Sequence, residues 1–200
     1  MKNFKYNTPQ KIWGLRMALP ATVIGFAAYS VAAILSALYV LGKEQSDTSG
    51  KTLGAYAFLA FLALFFNSIT FIIYAPLGTE YPASSIQLLF ATLTALFSFV
   101  WFGFCLCLWK NWDLRFVGDA AFVLFLFNLI GFFLVFQWFN VFGTLGFLIL
   151  QVNMVLYLIV EFGFWALTHN KIPAKVQGAF LLLSGFANFT IVLYIGGIIV

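Results

Sequence analysis

Charged residues are scarce in this sequence, and their scarcity excludes most soluble folds. The 200 residues include 10 Lys and Arg and only 6 Asp and Glu, so charged residues make up 8% of the chain. Soluble domains are about 25% charged and about 45–50% apolar, whereas 64% of this chain is hydrophobic and 20% is aromatic. The composition predicts an integral membrane protein that is surrounded by membrane lipid. It gives no basic footprint for nucleic acid, so no such partner is expected.

Histidine and cysteine are almost absent, which removes most cofactor chemistry. With 1 His and 2 Cys, the chain cannot supply paired haem ligands, a multi-histidine metal site or the ligands of an iron–sulfur cluster. Cys105 and Cys107 are two residues apart, so on a helix they point to different faces and cannot bridge each other. No Gly-rich phosphate loop or Ser/His/acid set occurs in the sequence. We therefore expect no enzyme activity, no catalytic residue, no metal and no cofactor.

Long apolar runs dominate what is present. A bilayer core of about 30 Å needs about 20 apolar residues per helix, and strand-like alternation is absent. The pattern predicts an all-α membrane protein with a single six-helix transmembrane domain over 17–200, after a basic N-terminal arm at 1–16 that has no cleavage site and is retained. The predicted helices are 17–41, 53–76, 85–109, 117–139, 143–167 and 178–200.

The connectors alternate in charge, and this pairs the helices into three hairpins. GKEQSDTSGK, KNWDLR and THNKIPAK carry Lys or Arg, whereas LGTEYPAS and QWFNVFG carry neither. By the positive-inside rule the basic connectors are cytoplasmic, which predicts both termini outside a prokaryotic inner membrane. The N-terminal arm opposes this orientation with four basic residues against six in the connectors, and the agreement among the short connectors favours the termini-outside arrangement.

Polar residues inside the apolar runs are the candidate functional groups. Asn153, Tyr157 and Glu161 are spaced four residues apart and share a face of the fifth helix. Such uncharged donors and acceptors could replace the hydration of a neutral solute, or they could simply hydrogen-bond neighbouring helices. The same two interpretations apply to the numerous Phe residues, which either pack or narrow a pore. The pore-lining candidates are Asn128, Gln151, Asn153, Tyr157, Ser184 and Asn188.

Two residues near the last basic connector are candidates for gating. Glu161 lies in an apolar run close to a predicted cytoplasmic end, where it either controls the mouth of a pore or pairs with Lys171 or Lys175. His169 is the only histidine of the chain. It is either a pH-sensitive group or a solvated loop residue.

The layout and three local strings resemble a known family. The strings are LGKEQSDTSGK, LRFVGDAAFVLFLFN with Asn128 at its end, and EFGFWALTHNKIPAK with Glu161 and the Lys171–Ile172–Pro173 turn. Together with six helices in three hairpins they resemble the urea and short-amide channels, which include the proton-gated urea channel. The resemblance implies a passive channel for a small neutral solute, with one pore per protomer of a homo-oligomer.

Two other functions remain open from the sequence. An accessory, non-transporting subunit of a larger membrane complex would also be rich in Phe and poor in internal charge. A proton-coupled monocarboxylate carrier would use Glu161 or His169 to exchange protons. Uptake that depends on pH would favour the carrier, and co-purification with other subunits in fixed ratio would favour the accessory subunit.

Overall fold

The described part of the chain is built from six helices. The computed structural model describes residues 9–43, 46, 48–136, 139–195 and 197–198, and within these ranges it contains no strand. Every helix includes a segment long and apolar enough to cross a membrane, which confirms the predicted six-span membrane protein. The helices are α1 (Pro9–Val40), α2 (Ser49–Tyr74), α3 (Ala83–Lys110), α4 (Arg115–Phe136), α5 (Phe139–Thr168) and α6 (Ala174–Ile195).

The helix boundaries differ from the predicted ones most at the start of the chain. Helices α2, α5 and α6 also begin four residues before their predicted starts, and α6 ends at Ile195 and not at residue 200. Helix α1 begins at Pro9, so residues 9–16 of the predicted arm are helical, while residues 1–8 lie outside the described residues. Its candidate membrane span begins only at Thr22. A hydropathy pattern detects the span and not the helical extension before it. In α5 the backbone leaves helical geometry at Gly143 (φ 66°, ψ 175°), which is where the fifth span was predicted to begin.

The helices form a closed ring. Each helix packs on the next one in the chain, and α6 packs on α1. Close approach at this closing seam depends on glycine: a Cβ on Gly185 would lie 2.7 Å from Cγ1 of Ile34, and a Cβ on Gly178 would lie 2.8 Å from Cγ of Leu41. Small residues allow such contact between membrane helices. The ring therefore surrounds an interior to which every helix contributes one face.

The two ends of the ring are distinguished by their connectors. The α1–α2, α3–α4 and α5–α6 connectors carry the basic residues and lie at one end, which we call the basic end. The α2–α3 connector, residues 75–82, lies at the other end. At the basic end Trp109 packs on Gly54, and its Nε1 donates to the carbonyl oxygen of Lys51 over 3.0 Å. These contacts join α2 to α3 beside the basic connectors.

Large apolar side chains cover the outside of the ring. Phe116 is 85% exposed, and Ile73, Leu88 and Phe186 are also exposed. In water so much exposed apolar surface would be a liability, but around a membrane-spanning ring it meets lipid tails. The described asparagine side chains of the spans, by contrast, are buried: Asn67, Asn128, Asn153 and Asn188.

Candidate functional site

A large cavity lies inside the ring, toward the end opposite the basic connectors. Its volume is about 310 Å³, and all six helices contribute to its wall. It extends from Pro76 and Leu77, next to the α2–α3 connector, to Tyr29 and Tyr157 in the middle of the ring. Most of the wall is aliphatic or aromatic, with Thr22, Thr94 and Asn128 among its polar members. The cavity could therefore hold a small molecule with few polar groups.

A small cavity of about 60 Å³ follows the large one toward the basic end. Its wall comes from α1, α3, α4, α5 and α6, and it includes Ser36, Trp101, Glu161 and Gln177. On each of these helices the lining residues of the small cavity lie nearer the basic end than those of the large cavity, and only Tyr29 and Phe97 line both. The two cavities thus lie in series along the interior of the ring.

Three aromatic rings separate the two cavities, and we call them the aromatic collar: Tyr29, Phe97 and Tyr157. The ring centroids are 5.7 Å apart for Tyr29 and Phe97, and 5.3 Å apart for each of the other two pairs. The rings meet edge to face, which is a favoured arrangement for aromatic pairs. A molecule that moves from one cavity to the other along the ring interior has to pass these three side chains.

Hydrogen bonds from α6 hold the two tyrosines of the collar. The hydroxyls of Tyr29 and Ser184 lie 2.9 Å apart, and the hydroxyl of Tyr157 donates to Oδ1 of Asn188. Asn188 in turn donates through Nδ2 to the carbonyl oxygen of Phe26, over 2.7 Å, and to Oγ of Ser30, over 2.8 Å. Ser184 and Asn188, predicted to line a pore, do not contact either cavity. They fix the orientation of rings that do.

Asn128 and Glu161 connect the two cavities across the collar. Asn128 lines the large cavity, Glu161 lines the small one, and Nδ2 of Asn128 donates to Oε1 of Glu161. Glu161 is 3% exposed. Among the described residues it forms no ion pair, so the alternative in which it pairs with Lys171 or Lys175 is wrong for this structure. Its other oxygen, Oε2, has no hydrogen-bond partner in the part of the chain that is described.

Two other pore-lining candidates, Gln151 and Asn153, lie on α5 away from both cavities. Nδ2 of Asn153 donates to the carbonyl oxygen of Ile149 over 2.9 Å and reaches Oγ1 of Thr190 at 3.3 Å. That contact joins α5 to α6. The side-chain amide of Gln151 is buried and has no partner within the described ranges. Tyr157, by contrast, lines the large cavity as part of the collar.

His169, the second gating candidate, lies at the basic end and lines neither cavity. Its Nε2 is 3.4 Å from Oδ1 of Asp119, and its Nδ1 is 2.9 Å from the carbonyl oxygen of Trp165. The imidazole also packs on the indole of Trp165, with ring centroids 5.2 Å apart. The contact with Asp119 joins the end of α5 to the first turns of α4.

The sequence alone did not identify several residues of the site. Ser36 and Trp101 line the small cavity, and Tyr29 and Phe97 belong to the collar. Gln177, which also lines the small cavity, shares a polar face of the sixth helix with Ser184 and Asn188, so the sequence did mark it as a polar residue within an apolar run. A weak signal exists for some of them: Tyr29 and Ser36 are seven residues apart, as are Phe97 and Phe104, and this spacing places each pair on one helix face. Nothing in the sequence indicates that these faces are the ones turned toward a cavity.

Comparison with protein-family models, with curated proteins and with solved structures finds no match for this chain. The resemblance to urea and short-amide channels therefore remains a prediction from layout and local strings. The two cavities, the collar between them and the groups that line them are the basis for a function.

Proposed function

We propose that this chain is a passive membrane channel for a small neutral polar solute, with urea or a short amide as the first candidates. The observation that carries the proposal is the series of two cavities inside a closed helix ring, separated by the aromatic collar. Channels select by the width of a constriction and by the hydrogen-bonding groups that line it. The aromatic collar is the narrow point between the cavities, and hydrogen-bonding side chains line the cavity on each side of it.

The lining chemistry supports a neutral solute over an ion. Among the described residues that line the large cavity there is no Asp, Glu, Lys, Arg or His. An ion that entered this apolar space would lose its hydration without a counter-charge, which is costly. A small amide needs only a few donors and acceptors, which Asn128 offers before the collar and Ser36 and Gln177 offer beyond it.

Orientation and assembly are part of the proposal. The positive-inside rule places the basic end in the cytoplasm, so the large cavity would face the outside of a prokaryotic inner membrane. The apolar outer surface of the ring suits contact with lipid or with further copies of the chain. We propose a homo-oligomer in which each copy has its own pathway, as the family resemblance implies.

Stopped-flow swelling of proteoliposomes tests the proposal. Vesicles with the full chain and empty vesicles are exposed to gradients of urea, acetamide and glycerol. We expect faster swelling with urea or acetamide than in empty vesicles, and a smaller difference with glycerol, because the collar admits small planar solutes more readily. Swelling no faster than in empty vesicles, from protein shown to be folded, would contradict the channel and favour the accessory subunit.

A further inference from the structure

Three residues of the small-cavity wall each carry a side-chain oxygen that lacks a hydrogen-bond partner within the described residues. These oxygens are Oγ of Ser36, Oε2 of Glu161 and Oε1 of Gln177. All three residues are almost completely buried, with exposed fractions of 2%, 3% and 0%. Buried polar atoms are nearly always paired with protein, water or a ligand. Three residues with such atoms line one cavity, which makes this cavity a candidate binding site.

The type of these atoms indicates the charge of the occupant. All three can accept hydrogen bonds, and a positively charged occupant would favour the ionised form of the Glu161 carboxyl group. No Lys, Arg or His lines the small cavity among the described residues, so no side chain there would neutralise the charge of that ionised form. An occupant with several hydrogen-bond donors and a positive charge complements this set.

The remaining wall of the small cavity is largely aromatic. Tyr29, Phe97, Trp101, Phe104 and Phe164 all contribute to it. Aromatic rings attract cations through their electron-rich faces, most strongly where water is excluded. A carboxyl group within an aromatic wall is thus a favourable environment for a small organic cation.

The size of the cavity limits the occupant to very few heavy atoms. Its volume is about 60 Å³, and one water molecule occupies about 30 Å³ in the liquid. Hard metal ions such as Ca²⁺ and Mg²⁺ require about six or more oxygen ligands, which is more than the three unpartnered oxygens present. A primary ammonium group has three N–H donors. It matches the three acceptors in number.

We propose that the small cavity binds a small ammonium cation, of which methylammonium is the best fit. Its three N–H groups would donate to Ser36, Glu161 and Gln177, and its methyl group would lie against the aromatic wall. This site goes beyond the proposed channel function, because it does not require that any solute crosses the membrane. The competing occupant is water, since the cavity has room for about two molecules.

Ligand titration of the purified full-length chain tests the site. Trp101 lines the cavity, so its fluorescence should change when the cavity fills. We expect methylammonium chloride to change the tryptophan emission saturably and to raise the unfolding temperature. Sodium chloride and tetramethylammonium chloride at equal ionic strength should change neither the emission nor the unfolding temperature. Both cations lack N–H donors, and tetramethylammonium is in addition too large for the cavity. Because the chain contains 6 Trp, Trp101→Phe is used to assign the signal.

Two variants assign the response to the small cavity. Glu161→Gln keeps the size of the side chain and an oxygen that can accept from Asn128, but it removes the negative charge, so methylammonium affinity should fall at least about tenfold. Glu80→Gln is the matched control in the exposed α2–α3 connector, and it should bind like the unmodified chain. Ser36→Ala, which loses one acceptor, should weaken binding about threefold or more and provides a second test if Glu161→Gln does not fold.

Three results would overturn the proposal. If methylammonium and sodium act alike, the small cavity holds only water. If Glu161→Gln folds and keeps the full response, or if Ser36→Ala leaves the affinity unchanged, the cation binds elsewhere. The outcome is independent of the swelling assay, because a non-conducting protein can still bind methylammonium and a conducting one can fail to do so.

Discussion

The two cavities show two different ways in which a helix ring tolerates empty space. The large cavity, about 310 Å³, is lined mainly by apolar side chains, and its polar members Thr94 and Asn128 both have hydrogen-bond partners. The small cavity is about 60 Å³, yet three residues of its wall carry oxygens that have no hydrogen-bond partner among the described residues. An apolar cavity can stay dry, whereas buried polar atoms need a partner. Polarity rather than volume therefore marks where a ligand should bind tightly.

The boundary between the cavities explains how such different environments lie next to each other. The aromatic collar consists of three rings, and its two hydroxyl groups are paired with Ser184 and Asn188 on α6. A side-chain hydrogen bond from Asn128 to Glu161 joins a residue of the large cavity to a residue of the small one. Substitutions that remove this hydrogen bond or a ring of the collar should therefore have the largest effects on stability and on solute selectivity.

Asn128→Leu should be the most damaging single change at the boundary. It removes the only described hydrogen-bond donor to Glu161 and leaves a buried carboxyl group without a partner on either oxygen. We expect the free energy of unfolding to fall by about 2–4 kcal/mol, measured by denaturation in detergent. Phe127→Leu is the control, because Phe127 is the exposed neighbour on the same helix. Equal stability of the two variants would mean that the bond to Glu161 contributes little.

Phe97→Ala should remove the separation between the cavities. Phe97 lines both of them and contacts both tyrosines of the collar. Under the proposed channel function we expect glycerol flux to rise by about threefold or more, because width at a constriction controls selectivity. Swelling of proteoliposomes measures the flux, and Phe99→Ala, on the exposed side of the same helix, is the control. Unchanged selectivity in a folded Phe97→Ala variant would exclude the collar as the filter.

The fold could be predicted from the sequence because the bilayer imposes a strong rule. A span needs about 20 apolar residues, and six such runs exist, so the number and type of elements followed directly. The start of α1 did not follow, because a helix can continue beyond the apolar run into residues of mixed character. The predicted start of the fifth span at residue 143 coincides with the break inside α5, because the backbone leaves helical geometry at Gly143.

The site was only partly predictable, and the reason is geometric. Asn128, Tyr157 and Glu161 could be selected because a polar group within an apolar run needs a partner or a ligand. The sequence does not indicate which of the two it has: Asn188 and Ser184 have protein partners, whereas Glu161 keeps one oxygen free of them. Phe97 could not be distinguished from Phe99, because identical side chains on opposite helix faces differ only in what the tertiary structure places next to them.

Ser184→Ala should have a moderate effect that is limited to the collar. The hydroxyl of Tyr29 would lose its partner on α6, and one buried hydrogen bond contributes about 1 kcal/mol. We expect a loss of about that size in the free energy of unfolding, measured in detergent. Leu183→Met, on the neighbouring exposed position, is the control. A loss no larger than that of the control would indicate that Tyr29 finds another partner.

The smallest expected difference comes from making the same substitution in each cavity wall. Leu93 lines the large cavity and Leu181 lines the small one, and their exposed fractions, 6% and 8%, are similar. Replacement of leucine by methionine nearly conserves volume, and the flexible thioether adapts to irregular space. We expect Leu93→Met to change the free energy of unfolding by less than about 0.5 kcal/mol, because the large cavity leaves room for the longer side chain. Leu181→Met should be destabilising by about 1 kcal/mol, because the space beside it is narrow and its wall is aromatic. Equal values in parallel denaturation curves would mean that both walls adapt equally, and the difference between the cavities would then be one of polarity alone.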